Sequence, residues 1–373
     1  MTNKELFYFM GQCLTLGNHT EKDQAVIQII QQEKVDWSRF VAMGSNHLIL
    51  PSLYLRFKAH GILSYLPVEL SEHLKMVYEL NYQRNITILE QINRINRLLA
   101  VVNIVPVYLK GAGNLLDQLY NDVGERIMGD IDLLVSDKEF TWVVWLLKNE
   151  GYEHGYSFDE KNMSITKHFP RLIHPNELVG VEVHRCPVEV SLSSHFNYAM
   201  IRPRAKLLKT EPPCYVLSDK HKVILNFMHG FMANDVRLMH VVSFRNMIDL
   251  YYLSFRVDIY KVLSRLPRYA SQALLYMGWV SRIMTMNTRP GFNLRVRCFI
   301  WQQNVWLKSK LWFRVGWLMR FVKHQLVSSY LRYAAGALID KETREFVFSR
   351  LTSKIWYKDH LKNYAIIFRK NLS

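Results

Sequence analysis

A chain of 373 residues, 49% hydrophobic and 21% charged, has the apolar material for buried cores and the length of about two to three domains, which excludes wholesale disorder. Its 48 Lys and Arg against 32 Asp and Glu give a net charge of +16, so a polyanionic partner is expected: nucleic acid, nucleotide phosphates or an anionic membrane surface. Four widely spaced cysteines make neither a disulfide framework nor a zinc spacing, and no run approaches 18 uncharged apolar residues.

The apolar stretch after Lys4 and Glu5 is short, contains Gln12 and lacks a small-residue cleavage pattern, so no signal peptide is expected. With the sparse cysteines, this predicts a cytoplasmic protein. From Lys4 to Ala100 apolar residues recur at helical intervals, as in Val77, Leu80, Ile88, Leu89, Ile92 and Ile95. Pro51 and Pro67 mark breaks between these helices. At residues 104–109 the pattern changes to a short β-branched run ending in Lys110-Gly111, which predicts a buried strand feeding a glycine turn and then a short helix to Asn121.

Residues 131–135 read as a second strand, and Glu139 to Asn149 as an amphipathic helix ending at Gly151. Three extended segments follow, Tyr152–Phe158, Ser164–Ile173 and Leu178–His184, with a turn at Pro175-Asn176. From Ser218 helical periodicity returns almost to the end, and no internal repeat is visible. These boundaries divide the chain into a helical region over 1–103, an α+β core over 104–200 and a helical region over 201–373.

Asp130 and Asp132 stand one residue apart at the start of a strand, so the period of two points both carboxylates to one side. Two anions held together require a cation, and hard oxygen ligands suit Mg²⁺ or Mn²⁺. The same pair reads equally as an exposed strand end. Upstream, Lys110-Gly111-Ala112-Gly113 places a cation and two glycines where backbone amides can converge on phosphate. It matches neither the P-loop spacing nor GxGxxG. Downstream, Val181-Glu182-Val183-His184 puts Glu182 and His184 on one strand face. Glu182 is therefore a third carboxylate if its strand lies beside the Asp130/Asp132 strand, and part of a solvent face otherwise.

Taken together, Leu109-Lys110-Gly111, Leu119-Tyr120, Asp122, Gly124, Arg126, Gly129-Asp130-Ile131-Asp132-Leu133-Leu134-Val135 and Val181-Glu182-Val183-His184 resemble the uncharacterised bacterial nucleotidyltransferase family of the polymerase-β-like superfamily. The tight match covers about residues 104–184. Glu125 and Ile127 depart from the family's apolar residue and proline, and Glu125 adds an anion expected near the metal acids. Gly113 and Asn114 stand where small or apolar residues are usual.

The resemblance implies a small mixed sheet with helical flanks and a metal-dependent transfer of NMP from ATP or another NTP to an unidentified hydroxyl or phosphate acceptor. It further implies that Asp130, Asp132 and Glu182 hold two divalent ions, while Lys110, Arg126 and the amides of Gly111, Ala112 and Gly113 steady the phosphates. Arg126 reads equally as half of a salt bridge to Asp122 or Asp130, and His184 as a residue orienting Glu182 or as a strand-face histidine. His229 and residues 245–250 resemble the helical appendage of relatives and are expected to pack or to wall the pocket. Two alternatives stay open: a DxD glycosyltransferase, which requires a larger nucleotide-sugar domain before Asp130, and a degenerate nucleotidyltransferase fold acting as a binding protein.

The charge excess is local. Residues 281–373 carry 18 Lys and Arg against 4 Asp and Glu, whereas residues 1–280 are nearly balanced. Over 295–333 cations interleave with aromatics, and Phe313, Trp317 and Phe321 repeat every four residues. A core-facing helix, an anionic membrane contact and an RNA groove all fit that pattern.

Overall fold

The computed structural model describes residues 1–17, 20–154, 166–232, 242–286, 293–323 and 330–372. The first hundred residues are helical: α1 (Asn3–Leu14), α2 (Thr20–Gln31), α3 (Trp37–Asn46), α4 (Leu50–Ala59) and α5 (Val68–Ala100). Pro51 lies in the first turn of α4 and Pro67 caps α5, where a missing N–H costs nothing. The glycosyltransferase alternative needed a nucleotide-sugar domain in this region. Helices occupy it instead.

Next come β1 (Val107–Tyr108), α6 (Lys110–Leu116), β2 (Asp130–Leu134), α7 (Asp137–Asn149), β3 (Glu153–His154), β4 (Leu172–Ile173) and β5 (Gly180–His184). The extended segments expected over 152–158 and 164–173 lie partly outside the described residues. Short α8 (Tyr198–Ile201) precedes β6 (Lys206–Leu208) and β7 (Cys214–Val216). The seven strands line up as β3-β4-β5-β2-β1-β7-β6, with β2/β5 and β1/β7 parallel and the other pairs antiparallel. The α+β architecture is as expected. The division at residue 200, however, leaves β6 and β7 on the helical side, although β7 pairs directly with β1 in the sheet.

The turn expected at Gly111 is absent, because α6 begins at Lys110. Its glycines serve close packing: a Cβ on Gly113 would stand 2.4 Å from the Tyr108 carbonyl oxygen. One face of β2 and β5, built from Ile131, Leu133, Val181 and Val183, is buried against α5 and α7 through Ile88, Ile92, Val143 and Leu147. Helix α5 also tethers the loop before β2, since the Asn81 and Asn85 amides donate to the carbonyls of Gly124, Val123 and Arg126.

The remaining helices are α9 (Asp219–Phe227), α10 (Phe244–Ser254), α11 (Ile259–Leu263), α12 (Ala270–Ile283), α13 (Leu294–Lys308), α14 (Lys310–Val322), α15 (Arg332–Ile339), α16 (Lys341–Leu351) and α17 (Lys354–Leu372). Ser218 caps α9 by accepting from the His221 amide, as its Ser-Asp start predicts. The two ends of the chain share one core. Phe7 of α1 packs on Phe244 and Trp279 with ring centroids 4.5 and 6.0 Å apart, and Tyr8 donates to Asn304 of α13.

In α14, Trp317 and Phe321 are buried in a small cluster with Tyr364 and Phe368 of α17, and Phe313 packs on the main core. The core-facing reading of that aromatic row holds. Trp301, Leu311, Trp312, Leu318 and Met319 remain exposed on α13 and α14. No helix among the described residues is long and apolar enough to cross a membrane.

Candidate active site

Strands β2 and β5 run parallel with Asp132 opposite Glu182 and Asp130 opposite Gly180. Alternation buries Ile131, Leu133, Val181 and Val183 on one side, so Asp130, Asp132, Glu182 and His184 share the other. The third carboxylate is therefore beside the first two. Ligand atoms of Asp132, Glu182 and His184 all lie within 4.8 Å of one another, in a geometry open to a metal ion.

Each carboxylate has a cationic or imidazole neighbour. Asp132 Oδ1 accepts from Lys110 Nζ at 2.5 Å and lies 2.8 Å from His184 Nε2. Asp130 accepts from Arg171 at 2.5 Å. Arg171 has room because its neighbour is Gly180, where a Cβ would stand 2.5 Å from Arg171 Cγ. Glu182 Oε2 faces His184 Nε2 at 3.5 Å and His168 Nε2 at 3.7 Å. His184 thus orients Asp132 more closely than Glu182.

Burial opposes ionisation of Asp132, but Lys110 and His184 outweigh it and hold that carboxyl well below the usual range. Burial also works against Glu182, whose His184 hydrogen bond and nearby His168 hold it at about 2. For Asp130, burial and the charges of Asp132 and Glu182 dominate and push its carboxyl up, despite Lys110 and Arg171. The cluster thus has a deficit of positive charge at Asp130. That deficit, with three hard oxygen donors on one face, fits a divalent cation.

Lys110 is the first residue of α6 and is held at φ +45°, a left-handed conformation that costs a side-chain-bearing residue about 1 kcal/mol or more. It lines a cleft together with Gly111, Met128, Gly129, Asp130 and Asp132. The opposite wall comes from α9, the π-helical turn that follows it (Met228–Met232) and α10: Lys222, Asn226, His229, Arg245, Asn246 and Asp249.

Four expectations need correction. Arg126 lines the cleft but is committed elsewhere: Nε and Nη2 donate to Asp249 at 2.9 and 3.0 Å, and Nη1 to the Ile127 carbonyl. Its partner is neither Asp122 nor Asp130. Gly113 and Ala112 are buried behind the cleft wall, and the Gly113 amide already donates to the Leu109 carbonyl. Of the short glycine run, Gly111 alone lines the cleft. Glu125 adds no charge there, being buried with its carboxylate accepting from the Tyr252 hydroxyl at 2.7 and 2.8 Å.

The partners of Lys222 and Asp249 went unread because helical periodicity marks a buried face without revealing what that face meets. Lys222 is buried and paired with Asp117, which also accepts from Lys206 and Arg256. Arg245 forms no hydrogen bond with any described residue. His229, Arg245, Asn246 and Asp249 line the cleft while Met247, Ile248 and Leu250 pack in the core, so this segment both packs and walls the pocket.

Residues 33–281 match the profile of the uncharacterised nucleotidyltransferase family, which spans the sheet, the carboxylates and both cleft walls. The chain belongs to this uncharacterised nucleotidyltransferase family. No curated protein and no solved structure matches it.

Proposed function

We propose that this nucleotidyltransferase moves an NMP unit from an NTP to a hydroxyl or phosphate acceptor and releases pyrophosphate. The observation that carries this reading is the parallel register setting Asp132 beside Glu182, at the mouth of a cleft whose far wall is cationic. Asp130, Asp132 and Glu182 are the residues that would hold Mg²⁺ or Mn²⁺; of these, Asp132 and Glu182 bring ligand atoms within 4.8 Å of each other. Such ions, when bound, supply charge neutralisation for the triphosphate and the departing pyrophosphate.

The chain's own groups do the positioning. The amide of Gly111 in the first turn of α6, with the Lys110 ammonium, meets phosphate oxygens. Arg126, locked to Asp249, shapes the wall rather than following the substrate. Arg245 takes the role expected of Arg126, offering an unused guanidinium to the phosphates or to an anionic acceptor. Glu182, held at about 2, is a stronger ligand than base; it orients the acceptor hydroxyl by accepting its hydrogen bond while the proton leaves to solvent. The basic stretch 295–333 is the surface proposed to draw in an anionic acceptor or membrane.

The test is incubation of the protein and its Asp130→Asn variant with each α-labelled NTP, Mg²⁺ and a cell extract. Transfer of label by wild type alone supports the reading. If neither labels anything, and calorimetry finds no NTP binding to wild type, the chain is a degenerate member and the proposal fails.

A further inference from the structure

Helix α14 carries apolar side chains on two sides. One side is taken up by packing, with Trp317 and Phe321 buried against Tyr364 and Phe368 of α17. On the other, Leu311, Trp312, Leu318, Met319 and Val322 are all exposed, Leu311 by 69% and Met319 by 57%. These five recur at intervals of three, four and seven residues, so at 3.6 residues per turn they form one outward row. A second apolar row contributes nothing to a helix that keeps it in water.

Helices α13 and α14 form a hairpin about Ser309, which ends the first helix and accepts from the Trp312 amide to begin the second. Gly316 lets them close, since a Cβ there would stand 2.4 Å from Trp306 Cδ2. Along the two helices stand Arg295, Arg297, Lys308, Lys310, Arg314 and Arg320, and no Asp or Glu. Lys308 and Lys310 are exposed at the head of the outward row. The hairpin is also anchored to the rest of the molecule, because Tyr8 of α1 donates to Asn304 and Val296 packs on Gly278 of α12.

We infer that the outward row of α14 docks on an anionic lipid bilayer, its side chains entering the boundary between headgroups and acyl chains while Lys308 and Lys310 meet lipid phosphates. An apolar face rimmed by cations is what holds a helix in that boundary, and none of the described helices is long and apolar enough to go further. A second copy of this chain fits less well, because two hairpins free of carboxylates repel each other. RNA also fits less well: bases stack on rings, and Trp312 is the one ring in the row. The inference rests on the surface role given above to residues 295–333, which it narrows to one partner, and not on the cleft.

The test is co-sedimentation of the full-length protein with vesicles of phosphatidylcholine, alone or mixed with phosphatidylglycerol. Binding to the mixed vesicles is expected to be about tenfold tighter or more, and lipid brominated in its acyl chains is expected to quench Trp312, read as the difference from Trp312→Leu. Lys308→Gln with Lys310→Gln, and separately Leu311→Ser with Leu318→Ser, should each weaken binding about tenfold or more. All four positions are exposed, and circular dichroism checks that each variant keeps its helices. Equal binding to neutral and anionic vesicles, or bromine quenching that Trp312→Leu leaves unchanged, overturns the inference. So does binding of a single-stranded RNA oligomer without vesicle binding, or self-association that the two serines abolish. Vesicle binding requires no nucleotide, so each of these results leaves the transfer reaction to its own labelling test.

Discussion

The two walls of the cleft are built on different principles. The sheet wall collects its carboxylates from β2 and β5, where strict alternation puts every second residue on one face, and each acid has a cationic or imidazole neighbour. The helical wall takes Lys222, Arg245 and Asp249 from α9 and α10, where the chemistry of each position follows from what crosses to meet it. Arg126 reaches Asp249, and Asp117 gathers Lys206, Lys222 and Arg256. A local repeat thus sets the anionic wall, whereas long-range straps set the cationic one.

Removing charge from the sheet wall at part-exposed Asp130 should cost function and spare the fold. Asp130→Ala is expected to lower kcat/KM by on the order of 10³-fold or more, the scale of a lost metal contact, with divalent-ion titration by calorimetry as the check. Cutting a strap should do the reverse. Asp249→Ala leaves a buried guanidinium unpaired, for an expected loss of about 3–5 kcal/mol in urea unfolding, and an apolar double replacement with Arg126→Met should restore most of it.

Acid separates the walls without mutation. His47 accepts from the Phe244 amide at the start of α10, and burial, helped by Arg245, holds its imidazole at about 3, against 6.5 for the free group. Its folded value is depressed, so the unfolded chain binds the extra proton between pH 6.5 and 3. The stability it provides is complete above 6.5 and falls with pH below that by about 1.4 kcal/mol per unit. At pH 5 the loss from His47 is about 2 kcal/mol, while the sheet wall keeps Glu182 ionised. Denaturant midpoints of wild type and His47→Gln across pH 5 to 7.5 measure this, and equal slopes for the two would refute it. The smallest effect belongs to Arg245→Ala, expected to raise the NTP KM about tenfold, near 1.4 kcal/mol, with little change in melting temperature.

These contrasts also decide what could be read in advance. Asp130, Asp132 and Glu182 were legible because period two needs only neighbouring residues. Their meeting depends on β2 pairing with β5 some fifty residues on, which alternation cannot choose; the family resemblance supplied it. The run at Gly111–Gly113 misled because a glycine chosen for close approach to the Tyr108 carbonyl carries the same letter as one chosen for a turn. Strands β6 and β7 went unseen because three residues each are too few to display a period. Arg126 was legible as important and illegible in purpose, since Asp249 lies 123 positions away.

The shared core of the two chain ends carries a consequence for synthesis. Helix α1 leaves the ribosome well before the helices it packs on, since Tyr8 is separated from Asn304 by 296 residues. At about 5–20 residues per second, α1 waits roughly 15–60 s for its partners. For most of that interval the face of Phe7 that meets Phe244 and Trp279 has no native surface to cover it. Nascent chains of this protein should therefore engage a ribosome-associated chaperone at their N-terminal helix and release it only after residue 304 has emerged.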